Sequence, residues 1–346
     1  MSLNALSICI PTYNYGKYIG QTLDSIILNM RAGVEIVIFD GGSTDDTRRI
    51  VTQRQHEYPQ IKYHRQEFRG GIDRDIAKVV NLAQGDYCWL FSADDIMKAG
   101  AVNKIFDSIQ SNYDIYLCEH TLCDCDMNPI AEHPIFNNIR SQENFHLGDR
   151  NQRGKYFCEA RITEAFFSFL SGPIFKRDLW DKTDGIPESF YETCWALAGR
   201  LLSLVNNGLT IHYLGQSLIY KRGDNDSFLE HGVVNRLRIS VEGFTHIAET
   251  IFGTSSYETY HIRRVIRNER PLGHLMKIKI DTHQSEMPLL NQLVLRHYSH
   301  AGLGNLCKYF LFRLMPISFI KFLVVFKKYI VNRIFAAKRD NPIKIK

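Results

Sequence analysis

The chain has no uninterrupted apolar run of the ~20 residues that a membrane-spanning helix needs. Its longest such stretch, near the C-terminus, is broken by Lys321. It has no GxxxxGK(S/T) loop and no GxGxxG after its first apolar run, so a glycine loop that cradles phosphate is not expected. No GxSxG elbow and no HExxH occur, which excludes the nucleophilic-serine and zinc-protease designs that those motifs encode. Internal repeats and low-complexity tracts are missing as well. No secretory leader is read in residues 1–10, which are too short and too mixed for one. The eight cysteines are therefore expected to be reduced thiols of a cytosolic protein. Cys118, His120, Cys123 and Cys125 cluster, but their spacing is irregular and no second CxxC-type pair follows. Ordinary thiols are expected there rather than a structural metal.

What is present is a chain of 346 residues, 45% apolar, enough for one large domain or two smaller ones. Its net charge of +5 matters by placement more than by sum. Residues 6–10 read as a strand followed by the turn Pro11, Thr12, Tyr13, Asn14. Residues 18–30 read as a helix, and 34–39 as a buried parallel strand. The polar run 40–46 (DGGSTDD) then caps a helix over 47–56. Strands at 61–64 and 87–91 flank a helix over 73–83, with Gly85 as its left-handed cap. This alternation predicts a doubly wound, mainly parallel α/β sheet with ligands at the carboxyl ends of its strands. The loops after the first, second and fourth strands are the ones rich in Asn, Asp, Ser and Gly. Residues 126–161 read as a long polar excursion, a loop over the site. Residues 210–220 are strand-like, and a boundary near Glu230 separates a domain 1–230 from a helical region 231–346.

Asp94 and Asp95 follow a strand carrying Trp89, Leu90 and Phe91. Adjacent acids at the end of a buried strand suit Mg²⁺ or Mn²⁺, which prefer carboxylate oxygens. Such a cation neutralises charge developing on a diphosphate leaving group. Helix capping is the simpler role for either acid. Asp40 has a similar place, where its carboxylate accepts from the N–H of a pyrimidine and Tyr13 stacks on the base. A purely structural turn role is the alternative for Asp40.

Together these residues resemble family 2 glycosyltransferases of the GT-A fold. Residues 7–14 (SICIPTYN) are similar to the family's opening strand and nucleotide loop, 35–47 (EIVIFDGGSTDDT) to its second signature, and 85–95 to its DxD region. The resemblance implies a nucleotide-sugar donor held by Pro11, Tyr13, Asn14, Asp40, Arg74, Asp94 and Arg222. It implies a divalent cation, Mn²⁺ or Mg²⁺, on Asp95 and Asp94. The first DxD position is Ser92 here, and Asp224 stands where many members carry a late histidine ligand. An inverting transfer needs a base; Glu192 is preferred, then Glu188. Residues 71–75 (GIDRD), 114–118 (DIYLC), 222–228 (RGDNDSF) and 269–271 (ERP) are similar to bacterial O-antigen abequosyltransferases and their relatives. That similarity implies a CDP-linked 3,6-dideoxyhexose such as abequose, moved to an undecaprenyl-diphosphate-linked oligosaccharide.

From Lys308 to Lys346 there are ten Lys or Arg and one acid, Asp340, interleaved with phenylalanines. On a helical wheel Lys321, Lys328, Asn332 and Arg339 share a stripe, and the other faces are largely apolar. The tail from about 305 is expected to lie on the cytoplasmic face of the inner membrane as an interfacial helix. No nucleic acid is expected as a partner. A UDP- or GDP-sugar transferase, a nucleotidyltransferase and a non-catalytic scaffold at the membrane are the competing functions.

Overall fold

The computed structural model describes residues 5–183, 185–299 and 302–327. Contacts divide the chain into two compact units, Met1–Ser227 with Glu242–Ile266, and Phe228–Val241 with Arg267–Lys346. The first unit thus ends its continuous stretch close to Glu230 and then regains a later helical segment.

In the first unit the chain runs β1 (Leu6–Thr12), α1 (Ile19–Ile27), β2 (Val34–Asp40), α2 (Thr47–Glu57), β3 (Ile61–Arg65), α3 (Ile72–Leu82) and β4 (Tyr87–Leu90). These four strands pair in parallel in the order β3-β2-β1-β4. Every residue of β1 and β2 is buried, as expected of strands covered on both faces. Leu6, Ile8 and Ile10 face one side with Ile36, Ile38, Leu23 and Ile26 in one apolar core. Pro11 sits in β1 beyond the last residue paired with β4, Cys9, so its missing N–H costs that ladder nothing.

Next come β5 (Ile96–Met97), α4 (Ala101–Ile109), β6 (Ile115–Cys123), β7 (Pro129–His133), β8 (Glu143–His146), α5 (Arg150–Glu159), β9 (Pro173–Lys176), α6 (Asp178–Asp181), α7 (Ala196–Ser203) and β10 (Thr210–Lys221). Here β9 runs antiparallel between β4 and β6, and β10 lies parallel to β6. The sheet is mixed, with its parallel half first in sequence. The polar excursion 126–161 is folded rather than a bare loop: it forms β7, β8 and α5. Those strands pair at the periphery of the sheet, on β6 and β10, and β7 is largely exposed.

At the amino ends of the strands a polar network joins β1, β2 and β3 to the residues that lead into β4. Ser7 Oγ donates to Glu35 Oε1 at 2.5 Å, and the Gly85 and Gln84 amides donate to Ser7 Oγ and Glu35 Oε1 at 2.8 and 2.6 Å. Lys62 Nζ pairs with Glu35 Oε2 at 2.6 Å. Burial works against the Glu35 charge, but Lys62 and Ser7 outweigh it and hold the carboxyl below its ordinary value. Gly85 is not a left-handed cap: the helix ends at Leu82, and a Cβ on Gly85 would lie 2.7 Å from the Ser7 amide nitrogen. Close approach to β1 is what requires glycine there.

The second unit is helical, with α8 (Val233–Arg238) at its start. The chain then passes through α9 (Phe244–Phe252) and α10 (Tyr257–Glu269) into α11 (Leu272–Asp281), α12 (Met287–Tyr298) and α13 (Leu303–Leu314). Lys279 is buried and its Nζ donates to the carbonyls of Phe312 and Met315 at 2.6 and 2.9 Å, capping the end of α13. Met315, before Pro316, is extended, and a second helical stretch, Ile317–Lys327, leaves at 103°. Among the described residues, which end at 327, the tail is therefore two short helices and not one, and no single described helix is long and apolar enough to cross a membrane. Lys328, Asn332, Phe335 and Arg339 lie outside the described residues.

Candidate active site

The loops that leave β1, β2 and β4 meet at the carboxyl edge of the parallel half, as this sheet topology dictates. The first two are stapled. Asn14 takes φ 58°, accepts from the Thr44 amide at 2.8 Å and donates its own amide to Ser43 Oγ at 2.9 Å. Tyr15 and Gly16 amides donate to Thr47 Oγ1 and Asp45 Oδ2 at 3.0 and 2.8 Å. Asp45, not a residue at the helix cap, then satisfies the Thr47 amide at 3.0 Å. Tyr13 has Arg69 over its ring at 4.5 Å.

Asp40 is fully buried. Its Oδ1 accepts from the Gly42 and Ser43 amides at 3.0 and 2.7 Å, and its Oδ2 from Tyr63 Oη at 2.5 Å. Arg65 stands 3.8 Å away. The structural turn role is thus filled. Gly41 is required by a neighbour: its Cβ would fall 2.3 Å from Asp75 Oδ2. Burial raises the Asp75 carboxyl to about 6 and that of Asp73 to about 7. Asp73 accepts from the Ala196 amide at 3.1 Å and so ties α3 to the start of α7.

After β4, Asp94 and Asp95 are 6% and 2% exposed. Ser92 Oγ and Asn225 Nδ2 donate to Asp94 at 2.5 and 2.6 Å. Ser171 Oγ and the Arg222 amide donate to Asp95 at 2.9 and 3.2 Å. Burial, and then the neighbouring Asp94, push the Asp95 carboxyl up to about 8. Every hydrogen-bond donor on these oxygens is neutral, and a cation that displaces the Asp95 proton would find two carboxylates side by side. That fits a hard divalent cation, with Asp95 and Asp94 as its carboxylate ligands.

Other expected residues take different parts. Asp224 is exposed at φ 54°, and it is the next residue, Asn225, that reaches Asp94. Arg222 is buried, stacks on Tyr18 at 4.6 Å and donates to Asp94 O, Cys125 O and Gln21 Oε1 at 3.1, 2.6 and 2.8 Å. Three of its five donors thus fasten loops together. Arg74 and Glu188, expected on nucleotide and acceptor respectively, form an exposed ion pair with each other. Glu192 is exposed at the end of the short helix Glu188–Glu192. The cysteine cluster disperses, because Cys118 Sγ donates to Gly172 O at 3.3 Å, Cys123 Sγ turns to Thr121 O and Cys125 is exposed. Ser171 and Asn225 were not picked out in the sequence; the only signal for Ser171 was a small polar step, Ser171-Gly172-Pro173, before β9.

The chain is similar to known proteins in sequence and in fold. The chain is 31% identical to the abequosyltransferase RfbV of Salmonella typhimurium over 272 residues, 77% of this chain and 81% of the relative. Its fold is similar to that of S. aureus TarS 1–349 in complex with UDP-GlcNAc, with TM-score 0.60, 17% identity and coverage of 85% of this chain and 80% of that one. It is also similar to the mannosyltransferase PcManGT of Pyrobaculum calidifontis in complex with GDP-Man and Mn²⁺, with TM-score 0.52, 14% identity and coverage of 87% and 77%. The model of glycosyl transferase family 2 matches residues 7–171, the span that runs from the β1 loop to the Ser171 that holds Asp95. The GT-A sheet, the acid pair and these relatives make the chain a glycosyltransferase, a member of glycosyl transferase family 2.

Proposed function

We propose that this glycosyltransferase moves a 3,6-dideoxyhexose such as abequose from a CDP-linked donor to a lipid-linked O-antigen oligosaccharide. The observation that carries this reading is the likeness to an abequosyltransferase along most of both chains, which extends well beyond the nucleotide loops. The base sits by the stapled β1 and β2 loops, between Tyr13 and the Asp40 turn. The diphosphate lies towards Asp94 and Asp95. Mn²⁺ or Mg²⁺ on those acids would neutralise the leaving diphosphate. Ser171, Asn225 and the Arg222 amide hold the two carboxylates in place, and Tyr18 with Gln21 holds Arg222. Glu192, in no ion pair among the described residues, takes the proton of the acceptor hydroxyl.

The acceptor brings the enzyme to the cytoplasmic face of the inner membrane. Leu303, Leu314, Phe322 and Val325 are 82%, 75%, 59% and 66% exposed, an unusual display for helices in water. With the basic residues among them they suit an interfacial segment on anionic lipid.

Calorimetry with CDP, UDP and GDP, with and without Mn²⁺, tests the donor. CDP binding that needs Mn²⁺ and is lost in Asp95→Asn supports the reading. Preference for UDP or GDP keeps a glycosyltransferase of polysaccharide synthesis and discards the dideoxyhexose. No nucleotide binding leaves a non-catalytic membrane scaffold.

A further inference from the structure

Away from the acid pair, two imidazoles and a buried carboxyl gather in one place. They are His120, His133 and Glu164, and among the described residues His120 Nε2 has no hydrogen-bond partner. A buried ring nitrogen is rarely left this way, and this one has a carboxylate and a second imidazole beside it. Folding brings the three residues together by register. His120 in β6 lies directly opposite His133 in β7, which sets the two imidazoles 4.8 Å apart between centroids. Glu164, on the short helix Thr163–Phe166, reaches in from outside the hairpin. Its Oε2 is 3.1 Å from His120 Nδ1, and its Oε1 is 3.9 Å from His133 Nδ1. His120 is 1% exposed and Glu164 7%, while His133 is 37% exposed by its side chain and opens the cluster to solvent.

We propose that His120, His133 and Glu164 bind a second divalent metal, Zn²⁺ by the chemistry of the set, at a site separate from Asp94 and Asp95. Two imidazoles and one carboxylate are a zinc-type donor set, unlike the all-oxygen set of the acid pair. One ligand atom from each residue lies within 4.8 Å of the others. A tetrahedral ion with bonds of about 2.0–2.1 Å sets its ligand atoms about 3.3–3.5 Å apart. Modest side-chain rotation closes that gap. Lys221 pairs with Glu164 Oε1 at 3.1 Å, which leaves Oε2, the oxygen that faces His120, for the ion. The metal would clip the β6–β7 hairpin to the 163–166 turn. This inference does not depend on the donor or acceptor assigned above.

The test is titration of chelator-treated full-length protein with Zn²⁺ alone, by calorimetry and thermal melting, and with Co²⁺ by visible absorption. His133→Ala is the variant of choice because the side chain is partly exposed and its loss leaves the core intact. Wild type should bind one Zn²⁺ with a raised melting temperature, and Co²⁺ should give the intense bands of a tetrahedral ion. His133→Ala should weaken binding on the order of 100-fold while melting like wild type in chelator. Asp95→Asn should keep the affinity within about threefold, since it removes only a ligand of the other site. No saturable Zn²⁺ binding overturns the proposal. So does binding that survives in His133→Ala or disappears in Asp95→Asn.

Discussion

The two compact units treat water in opposite ways. The first draws charge inwards: Asp40, Asp73, Asp75, Asp94 and Asp95 are all buried. Each is held by backbone amides, hydroxyls or side-chain amides. The second turns apolar groups outwards, with Leu303, Leu314, Phe322 and Val325 all more than half exposed. Buried carboxylates are costly without a compensating partner, and exposed leucines and phenylalanines are out of place in water. On the function proposed above, a cation with its nucleotide would complete the first unit and a less polar medium the second.

That contrast breaks or sharpens in graded ways. The largest effect is expected from Asp95→Asn, which should cut sugar transfer on the order of 10³-fold. Its melting temperature should match or exceed that of wild type, because a buried like-charge pair is relieved. A transfer assay and a melt on the same sample decide this; full activity in the variant would remove the cation from the account. Next is Gly85→Ala, whose methyl would press on the Ser7 backbone. It should destabilise the first unit by about 3 kcal/mol in denaturant unfolding. A cost below about 0.5 kcal/mol would show that the strands yield there.

The pH response comes third. The folded value of Asp95, about 8, is raised from an unfolded value of about 3.9. The protonated acid therefore favours the fold; that contribution is complete below pH ~4 and is lost as pH rises through about 8. Mn²⁺ needs the carboxylate, so its apparent affinity should climb about tenfold per pH unit between 6 and 8 and then level off. Calorimetry across that range would show a flat profile if Asp95 were not a ligand. The smallest effect belongs to the second unit. Phe322→Glu should weaken co-sedimentation with anionic vesicles about tenfold and leave the melting temperature unchanged. Equal vesicle binding would mean that the exposed face meets some other surface.

Much of the first unit was legible because buried parallel strands write themselves as continuous apolar runs. β1, β2, β3 and β4 fall within one or two residues of their expected bounds. The β7, β8 and α5 excursion was not legible. β7 is exposed along nearly its whole length, so no apolar period marks it. The acid pair could be named from sequence, but the residues that hold it could not. Ser171 and Asn225 stand 76 and 131 residues away from the acids they bond. Arg74 and Glu188, 114 residues apart, were assigned separate roles, and only the fold shows them paired. His120 was noticed for its neighbouring cysteines, yet β-strand alternation turns Cys123 away and cross-strand register supplies His133 instead.

The Ser7–Glu35–Lys62–Gly85 network lies at the end of the sheet remote from every loop discussed as a site. It ties the starts of β1, β2, β3 and β4 together without help from the loops at their far ends. The chain is in that sense a chassis with its frame welded at the rear. Substitutions in the loops at the far end, Asp95→Asn among them, are therefore expected to spare the fold.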